Sequence, residues 1–289
     1  MSPDFLKTIF LPLALMIIMF GMGMTLTVAD FKRVILAPKA KILGLLIQLV
    51  LLPVVAYALV LAFGLSSELA IGLMLIAACP GGPTSNMISH LAKGDTALSV
   101  TLTAVSSVVT VFTIPLIVGV AMELFQLDGA VVALPFGKTV LQLMLVTIVP
   151  ISFGMMVHRF FPKFSVRMSR PVNVLSVIFL ALVILAAVLK EKDLAAQFKE
   201  VGFAVLALNV ITMSLGFGLA GWLKLSLRQQ VTISIEAGIQ NGTLALAIAL
   251  GILESARIAV PSVVYSLLMF ASGAFMIVAF GRSRRVGEK

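Results

Sequence analysis

Residues 234–243 read Ser234-Ile235-Glu236-Ala237-Gly238-Ile239-Gln240-Asn241-Gly242-Thr243. They interrupt an apolar window, 229–251, that is long enough to cross a bilayer. Glu236 comes eight residues after Arg228. At about 1.5 Å per residue that places it roughly 12 Å into the membrane, near the middle. An ionised carboxylate there costs at least about 2.5–3.5 kcal/mol. Two readings follow: a protonated Glu236 in a structural hydrogen bond, or a site for a cation or proton, the default for an intramembrane acid. The neighbours favour the second. Two glycines beside Glu, Gln and Asn do not suit a continuous helix facing lipid. They suit a helix that unwinds at depth and restarts, since bare carbonyls and amides are tolerable only around a ligand or cavity. Close packing of a Gly238-x-x-x-Gly242 pair would explain the spacing but not its polar neighbours.

A second interruption lies upstream. Ala78-Cys79-Pro80-Gly81-Gly82-Pro83-Thr84-Ser85-Asn86 breaks another apolar run, and two prolines with two glycines in four residues cannot continue a helix. Read as a loop between separate spans, it would leave segments of only about 12 and 10 residues, each too short to cross. A single broken span fits better.

Composition agrees. Of 289 residues, 61% are apolar and 11% charged, too few charges to cover a soluble protein. A soluble enzyme, a nucleic-acid binder and a disordered chain are all disfavoured. Nine apolar windows appear: 9–29, 40–63, 68–92, 97–122, 138–157, 171–189, 200–222, 229–251 and 258–280. The first runs straight into Asp30-Phe31-Lys32-Arg33 and ends at no A-x-A site, so it reads as a span, not a signal peptide. The expected fold is an all-α polytopic membrane protein of nine transmembrane helices. It is a single transmembrane domain over 1–289, its first half about 1–128 and its second about 129–281.

Orientation follows from Lys and Arg. With the C-terminus inside, 15 of the 21 basic residues fall inside: Lys32, Arg33, Lys39, Lys41, Lys93, Arg159, Lys163, Arg167, Arg170, Lys224, Arg228, Arg282, Arg284, Arg285 and Lys289. The other six, Lys7, Lys138, Lys190, Lys192, Lys199 and Arg257, fall outside. Three acids lie inside and eight outside, which leaves Glu236 as the twelfth. A wrong span count would scramble this asymmetry. The net charge of +9 is then a topology signal, not a sign of nucleic acid.

Other polar residues are less decisive. Ser99, Thr103, Ser106 and Thr110 form a stripe on one helix face, equally suited to helix packing and to ion binding. Gln48, the one strongly polar residue of its span, reads as an interhelical hydrogen bond more readily than as a ligand. Cys79 is the only cysteine, and His90 and His158 are far apart, so no Cys or His metal site is expected. Gly137-Lys138-Thr139 resembles the end of a phosphate loop, but Val132 replaces the required glycine.

Each half thus holds one broken helix, the pattern of secondary transporters built from inverted repeats. Half-helix N-termini suit an anionic substrate, and half-helix C-termini with freed carbonyls suit Na⁺. Nine spans divide as four plus five, and the breaks align if the first half lacks its opening helix.

The broken segments resemble the bile acid:sodium symporter family. Cys79 to Asn86, followed by Gly94-Asp95-Thr96-Ala97-Leu98-Ser99-Val100, is similar to its fourth and fifth helices, and Ile235 to Asn241 to its ninth. Phe20-Gly21-Met22-Gly23 leading to Asp30-Phe31 is similar to its second helix. The likeness covers nearly the whole chain, which looks like a bacterial-type member lacking the first helix. It implies a core domain holding two broken helices that cross at the midplane, and a panel domain beside it. It implies a Na⁺-coupled symporter of an organic anion, working by alternating access and binding two Na⁺ ions. One ion would use Ser85, Asn86, Ser99, Thr103 and Glu236. The other would use Gln48, Glu236, Gln240 and the carbonyls of Ala237 and Ile239. Substrate would sit near Gly82, Pro83, Thr84, Asn241 and Gly242.

Pro83 stands where bacterial relatives often have Thr, and Phe270 where some bile-acid carriers have Asn. The Na⁺ set is intact and the substrate face altered. Expected substrates are therefore bile-acid-like or, by preference, smaller monocarboxylates such as pantoate or a keto acid. A proton-coupled or uncoupled carrier of the same fold is the alternative. A non-transporting receptor would need a signalling domain, and only nine residues follow Phe280. No catalytic cluster suggests an enzyme. The expected partners are the substrate and the lipid bilayer, without nucleic acid, and a monomer fits. The expected location is the bacterial cytoplasmic (inner) membrane, with the C-terminus cytoplasmic.

Overall fold

The computed structural model describes residues 11–32, 38–125, 135–168, 171–172, 174–175, 178, 181–182 and 194–281. The expected span at 171–189 lies mostly outside the described residues. So do Lys7, Arg33, Arg170, Lys190, Lys192 and the basic residues after Gly281.

Every regular element among the described residues is helical. In chain order these are α1 (Leu11–Gly23), α2 (Val28–Lys32), α3 (Pro38–Leu46), α4 (Leu52–Phe63), α5 (Ser67–Ala78), α6 (Pro83–Leu91) and α7 (Thr96–Phe125). There follow α8 (Phe136–Leu143), α9 (Val149–Phe160), α10 (Leu194–Trp222), α11 (Leu227–Gly238), α12 (Gly242–Gly251) and α13 (Ala256–Gly281). Six stretches are long and apolar enough to cross a membrane: Lys39–Phe63, Thr96–Phe125, Phe136–Phe160, Ala196–Trp222, Leu227–Gly251 and Ala256–Gly281. The pair α5 and α6 makes a seventh if counted as one span bent by 61°.

The first window is not one helix. α1 ends at Gly23, and the chain turns before α2 starts. The Asp30 carboxylate accepts the Thr27 N–H (2.8 Å) and hydroxyl (2.6 Å), fixing that turn. Gly23 and Gly154 let α1 and α9 approach backbone to backbone: a Cβ on Gly23 would strike the Ile151 carbonyl, and one on Gly154 the Phe20 carbonyl. Two further irregularities precede prolines. Ile47–Leu51 and Met144–Ile148 are π-helical, just before Pro53 and Pro150. Proline offers no N–H and crowds the carbonyl four residues back, and one wide turn relieves both. Gln48 sits in the first of these turns.

The Leu227–Gly251 window is 94% buried, against 28–44% for the other five long stretches. It is therefore enclosed by the bundle, which explains how it can hold so many polar residues. α10, α13 and α7 surround it, while α1 packs on α9 and against α12.

Loop contacts sort by end. At one end Arg257 pairs with Glu68 (3.5 Å), Ser255 donates to Glu68 (3.0 Å), and the Ser66 N–H donates to Glu200 (3.3 Å). At the other, the Asp95 N–H donates to the Arg228 carbonyl (3.2 Å) and to Thr232 Oγ1 (2.8 Å). Residues placed outside by the charge count thus meet one another, and so do residues placed inside.

Candidate functional site

α5 stops at Ala78, because Pro80 and the two glycines cannot extend it, and α6 starts with Pro83 at its first position. α11 opens on a capping box, Ser226 with Gln229, and ends at Gly238. Ile239 is extended (φ −110°, ψ 102°), and Asn241 caps α12 by accepting the Leu244 N–H at 3.0 Å. The two breaks touch: the Asn241 N–H donates to the Pro80 carbonyl at 2.8 Å.

Four predicted residues gather around the Glu236 carboxylate. Ser99 donates to Oε1 at 2.6 Å and Thr103 to Oε2 at 2.9 Å. The same two hydroxyls face Asn86 Oδ1, at 2.8 Å and 3.3 Å. Ser85 Oγ lies 3.5 Å from Thr103 Oγ1, and its own proton goes to the Gly82 carbonyl at 2.9 Å. Ser85, Ser99, Thr103 and Glu236 are buried, and Asn86 is half-buried. Each hydroxyl carries one proton. The protons of Ser99 and Thr103 therefore face three acceptors: the two carboxylate oxygens, when ionised, and Asn86 Oδ1. The group is rich in lone pairs and short of protons.

A second group adjoins it. Gln48 Nε2 donates to Gln240 Oε1 (2.7 Å) and to the Cys79 carbonyl (2.8 Å). Gln240 Nε2 donates to the Ala237 carbonyl (3.0 Å) and, at longer range, to that of Glu236 (3.4 Å). Gln48 Oε1 is buried without a hydrogen-bond partner, which an amide oxygen tolerates only at a cost of about 1–3 kcal/mol. The Glu236 carboxylate accepts from Ser99 and Thr103 of the first group and makes no hydrogen bond to the side chains of Gln48 or Gln240. Ile239 contributes the extended residue between Gly238 and Gln240.

The residues expected near substrate collect at the two half-helix N-termini. Gly82 and Gly242 are buried, while Pro83 and Thr84 are half-buried in the first turn of α6. Asn241 Nδ2 is buried without a partner, 3.6 Å from where a Cβ on Gly82 would lie. α6 and α12 both begin here, so the positive ends of their dipoles lie at this point.

Sequence reading missed four residues. A Cβ on Gly81 would sit 2.7 Å from Glu236 Oε2 and 3.0 Å from Ser85 Oγ, so this glycine makes room for the carboxylate. Asn209, Thr212 and Tyr265 donate to carbonyls at the end of α11. The available signal was Asn209, a lone amide in an apolar span. The expected stripe on α7 divides: Ser99 and Thr103 face Glu236, whereas Ser106 and Thr110 bond back to their own helix, at Thr103 and Ser107.

The oxygens of the two groups are neutral except those of one carboxylate. Among the described residues no three His, Cys, Asp or Glu side chains gather to hold a metal. A hard cation prefers oxygen, and a single negative charge suits a monovalent ion better than a divalent one.

Residues 12–198 match the Sodium Bile acid symporter family. The chain is 34% identical over 274 residues to the uncharacterized sodium-dependent transporter YocS of Bacillus subtilis (strain 168), covering 94% of this chain and 83% of that protein. It is 31% identical over 281 residues to the probable sodium/metabolite cotransporter BASS2, chloroplastic, of Oryza sativa subsp. japonica, covering 96% and 65%. It is 30% identical over 244 residues to sodium/bile acid cotransporter 4 of Rattus norvegicus, covering 83% and 55%. The chain therefore spans less than two thirds of those plant and animal relatives.

Proposed function

The chain belongs to the sodium bile acid symporter family, a family of sodium-dependent membrane transporters, and from that premise we propose that it is a Na⁺-coupled symporter of a small organic monocarboxylate. The proton count around Glu236 carries this reading. Two hydroxyl protons serve three acceptors there, the two oxygens of the buried carboxylate and Oδ1 of the half-buried Asn86. A Na⁺ ion among Ser85, Asn86, Ser99, Thr103 and Glu236 would turn surplus lone pairs into ligands and balance the charge. Its neighbour would lie by Gln48, Gln240 and the carbonyls of Ala237 and Ile239, where the unpaired Gln48 Oε1 supplies an oxygen. In this proposal Glu236 serves the second ion as a nearby charge, because its oxygens already face the first group.

Substrate would bind by Gly82, Pro83, Thr84, Asn241 and Gly242. The buried Asn241 amide donor and two helix N-termini suit one carboxylate. They set no length for the rest of the molecule, so pantoate-like acids, keto acids and bile-acid-like anions share this chemistry. Binding of Na⁺ would hold the two breaks in the geometry that presents these donors, which couples ion to substrate.

The proposed architecture is nine spans in two inverted halves, about 1–128 and 129–281, with the C-terminus cytoplasmic in a bacterial inner membrane. The core would comprise α3–α7 and α10–α13, and the panel would include α1, α8 and α9. A cavity of about 430 Å³, lined by Leu15, Gln142, Ala247, Ile248, Gly251 and Glu254 among others, would lie on the seam between these bodies. Movement of the core along this seam would alternate access.

Uptake of a labelled monocarboxylate panel into proteoliposomes, with and without an inward Na⁺ gradient, tests the proposal. Equal uptake in both would sink the coupling. One proton on Glu236 would also complete the hydrogen bonds of the first group, and this favours proton coupling as the second reading. Uptake that follows a pH gradient and ignores Na⁺ would select it.

A further inference from the structure

Behind the α11–α12 break, on the far helices of the bundle, lies a buried polar cluster that the ion groups do not include. Asn209 Nδ2 donates to the Gly238 carbonyl at 2.7 Å, and the Tyr265 hydroxyl donates to the same oxygen at 3.0 Å. Asn209 also approaches the Tyr265 oxygen at 3.4 Å. Thr212 shares its proton between its own helix and the Ala237 carbonyl, 3.2 Å away. Asn209 is 1% exposed, and Thr212 and Tyr265 are fully buried. They come from two helices, α10 and α13, and converge on two successive carbonyls of a third, those of Ala237 and Gly238.

Close packing against α10 holds the Gly238 peptide as well. A Cβ on Gly238 would strike Met213 and lie 3.3 Å from Asn209 Nδ2. The backbone at Gly238 therefore rests directly against α10, with its carbonyl pinned by two donors. A helix C-terminus leaves its last carbonyls without intrahelical partners, so some donors are required here for stability alone. More follows from the position. Ile239 is the next residue, Gln240 the one after, and the Ala237 carbonyl is the acceptor for Gln240 Nε2. Fixing the Gly238 peptide fixes the direction in which the chain leaves the helix. That sets where the Ile239 carbonyl and the Gln240 amide stand relative to Gln48.

We infer that Asn209 and Tyr265 are positioning residues for the second cation group: they lock the Gly238 peptide and so hold Ile239 and Gln240 in ion-binding geometry. The inference rests on the sodium reading above. Neither residue touches the ion. They act as outer partners of the ligating backbone, a role whose loss commonly weakens metal affinity.

The test uses purified full-length protein in detergent. Thermal unfolding is followed as NaCl replaces choline chloride at constant ionic strength, so Na⁺ itself is the probe. Tyr265→Phe keeps the ring and removes one donor; Asn209→Leu keeps the volume and removes the other. Thr147→Val is the control, because it removes a buried hydroxyl that bonds only within its own helix. The expected result is a Na⁺ midpoint raised by about tenfold or more in Asn209→Leu, raised less in Tyr265→Phe, and unmoved in Thr147→Val. Cooperativity of the Na⁺ titration falls in the first two. A merely structural role would lower the melting temperature in choline and leave the midpoint in place, and that outcome overturns the inference. If Asn209→Leu fails to fold, Tyr265→Phe decides by the same criterion. A wild-type protein that Na⁺ does not stabilise overturns the sodium reading and this inference with it. A wild type that responds, with variants that respond identically, overturns the inference alone.

Discussion

Glu236→Gln changes charge and proton count at the first group while leaving the shape almost unchanged. In the wild type, Ser99 and Thr103 donate to the carboxylate at 2.6 Å and 2.9 Å, and Asn86 Oδ1 competes for the same protons. Glutamine brings two amide protons into this proton-poor group and removes a charge whose burial costs at least about 2.5–3.5 kcal/mol. In Na⁺-free choline buffer the variant should therefore melt above the wild type. At roughly 2 °C per kcal/mol for a chain of this size, the gap is about 5–7 °C. Na⁺ acts in the opposite direction. At a hundredfold excess over its dissociation constant a ligand stabilises by about 2.7 kcal/mol, or roughly 5 °C here. The wild type should gain that shift, and the variant should not. In saturating Na⁺ the two proteins should nearly coincide. A thermal melt with NaCl and choline chloride as the paired salts reads both numbers. Retention of the full Na⁺ shift by the variant would remove Glu236 from cation binding. Melting far below the wild type in choline would show that the carboxylate is a structural hydrogen-bond acceptor instead.

Gly81→Ala places a methyl 2.7 Å from Glu236 Oε2, so Na⁺-driven uptake should fall by about tenfold or more while the protein stays monodisperse on gel filtration; undiminished uptake contradicts the close approach. Gly238→Ala should destabilise by about 1–3 kcal/mol through overpacking against Met213, and adding Met213→Ala should recover part of the loss in thermal melts. No recovery would mean that the clash is not with that side chain. Arg257→Ala should cost less than about 1 kcal/mol, since the Arg257 and Glu68 side chains are 43% and 32% exposed. A melting point many degrees lower in KCl would show that this pair ties the loops more firmly than an exposed ion pair can.

Much of the fold was legible in the sequence because its signals are local. Hydropathy over some twenty residues depends on composition alone, so apolar stretches announce themselves wherever they pack. Clustered proline and glycine weaken a helix through their own covalent structure, so both breaks fell where Cys79 to Pro83 and Gly238 to Gly242 placed them. Loop residues that the charge count put on one side, such as Glu68 and Arg257, meet one another in the structure. The π turns at Ile47–Leu51 and Met144–Ile148 were less visible. Pro53 and Pro150 hint at them, but a proline can also kink a helix or be absorbed in other ways.

The site itself divided differently. Sequence alone marked Glu236, because an acid in the membrane needs compensation wherever it goes. It did not say which hydroxyls supply that compensation. Ser99, Thr103, Ser106 and Thr110 are chemically alike and share one helix face, yet only the first two reach the carboxylate. The choice depends on how high α11 stands against α7, a relation between residues more than a hundred positions apart. Gly81 and Tyr265 were silent for the same reason, and Asn209 showed only as a lone amide without a visible partner. A missing Cβ matters only when a carboxylate approaches it, and a lone amide or phenol in an apolar span becomes a backbone anchor only when a carbonyl is left bare opposite. Breaks and charges are properties of the chain, whereas the pairing of donors with acceptors across the bundle is a property of its packing.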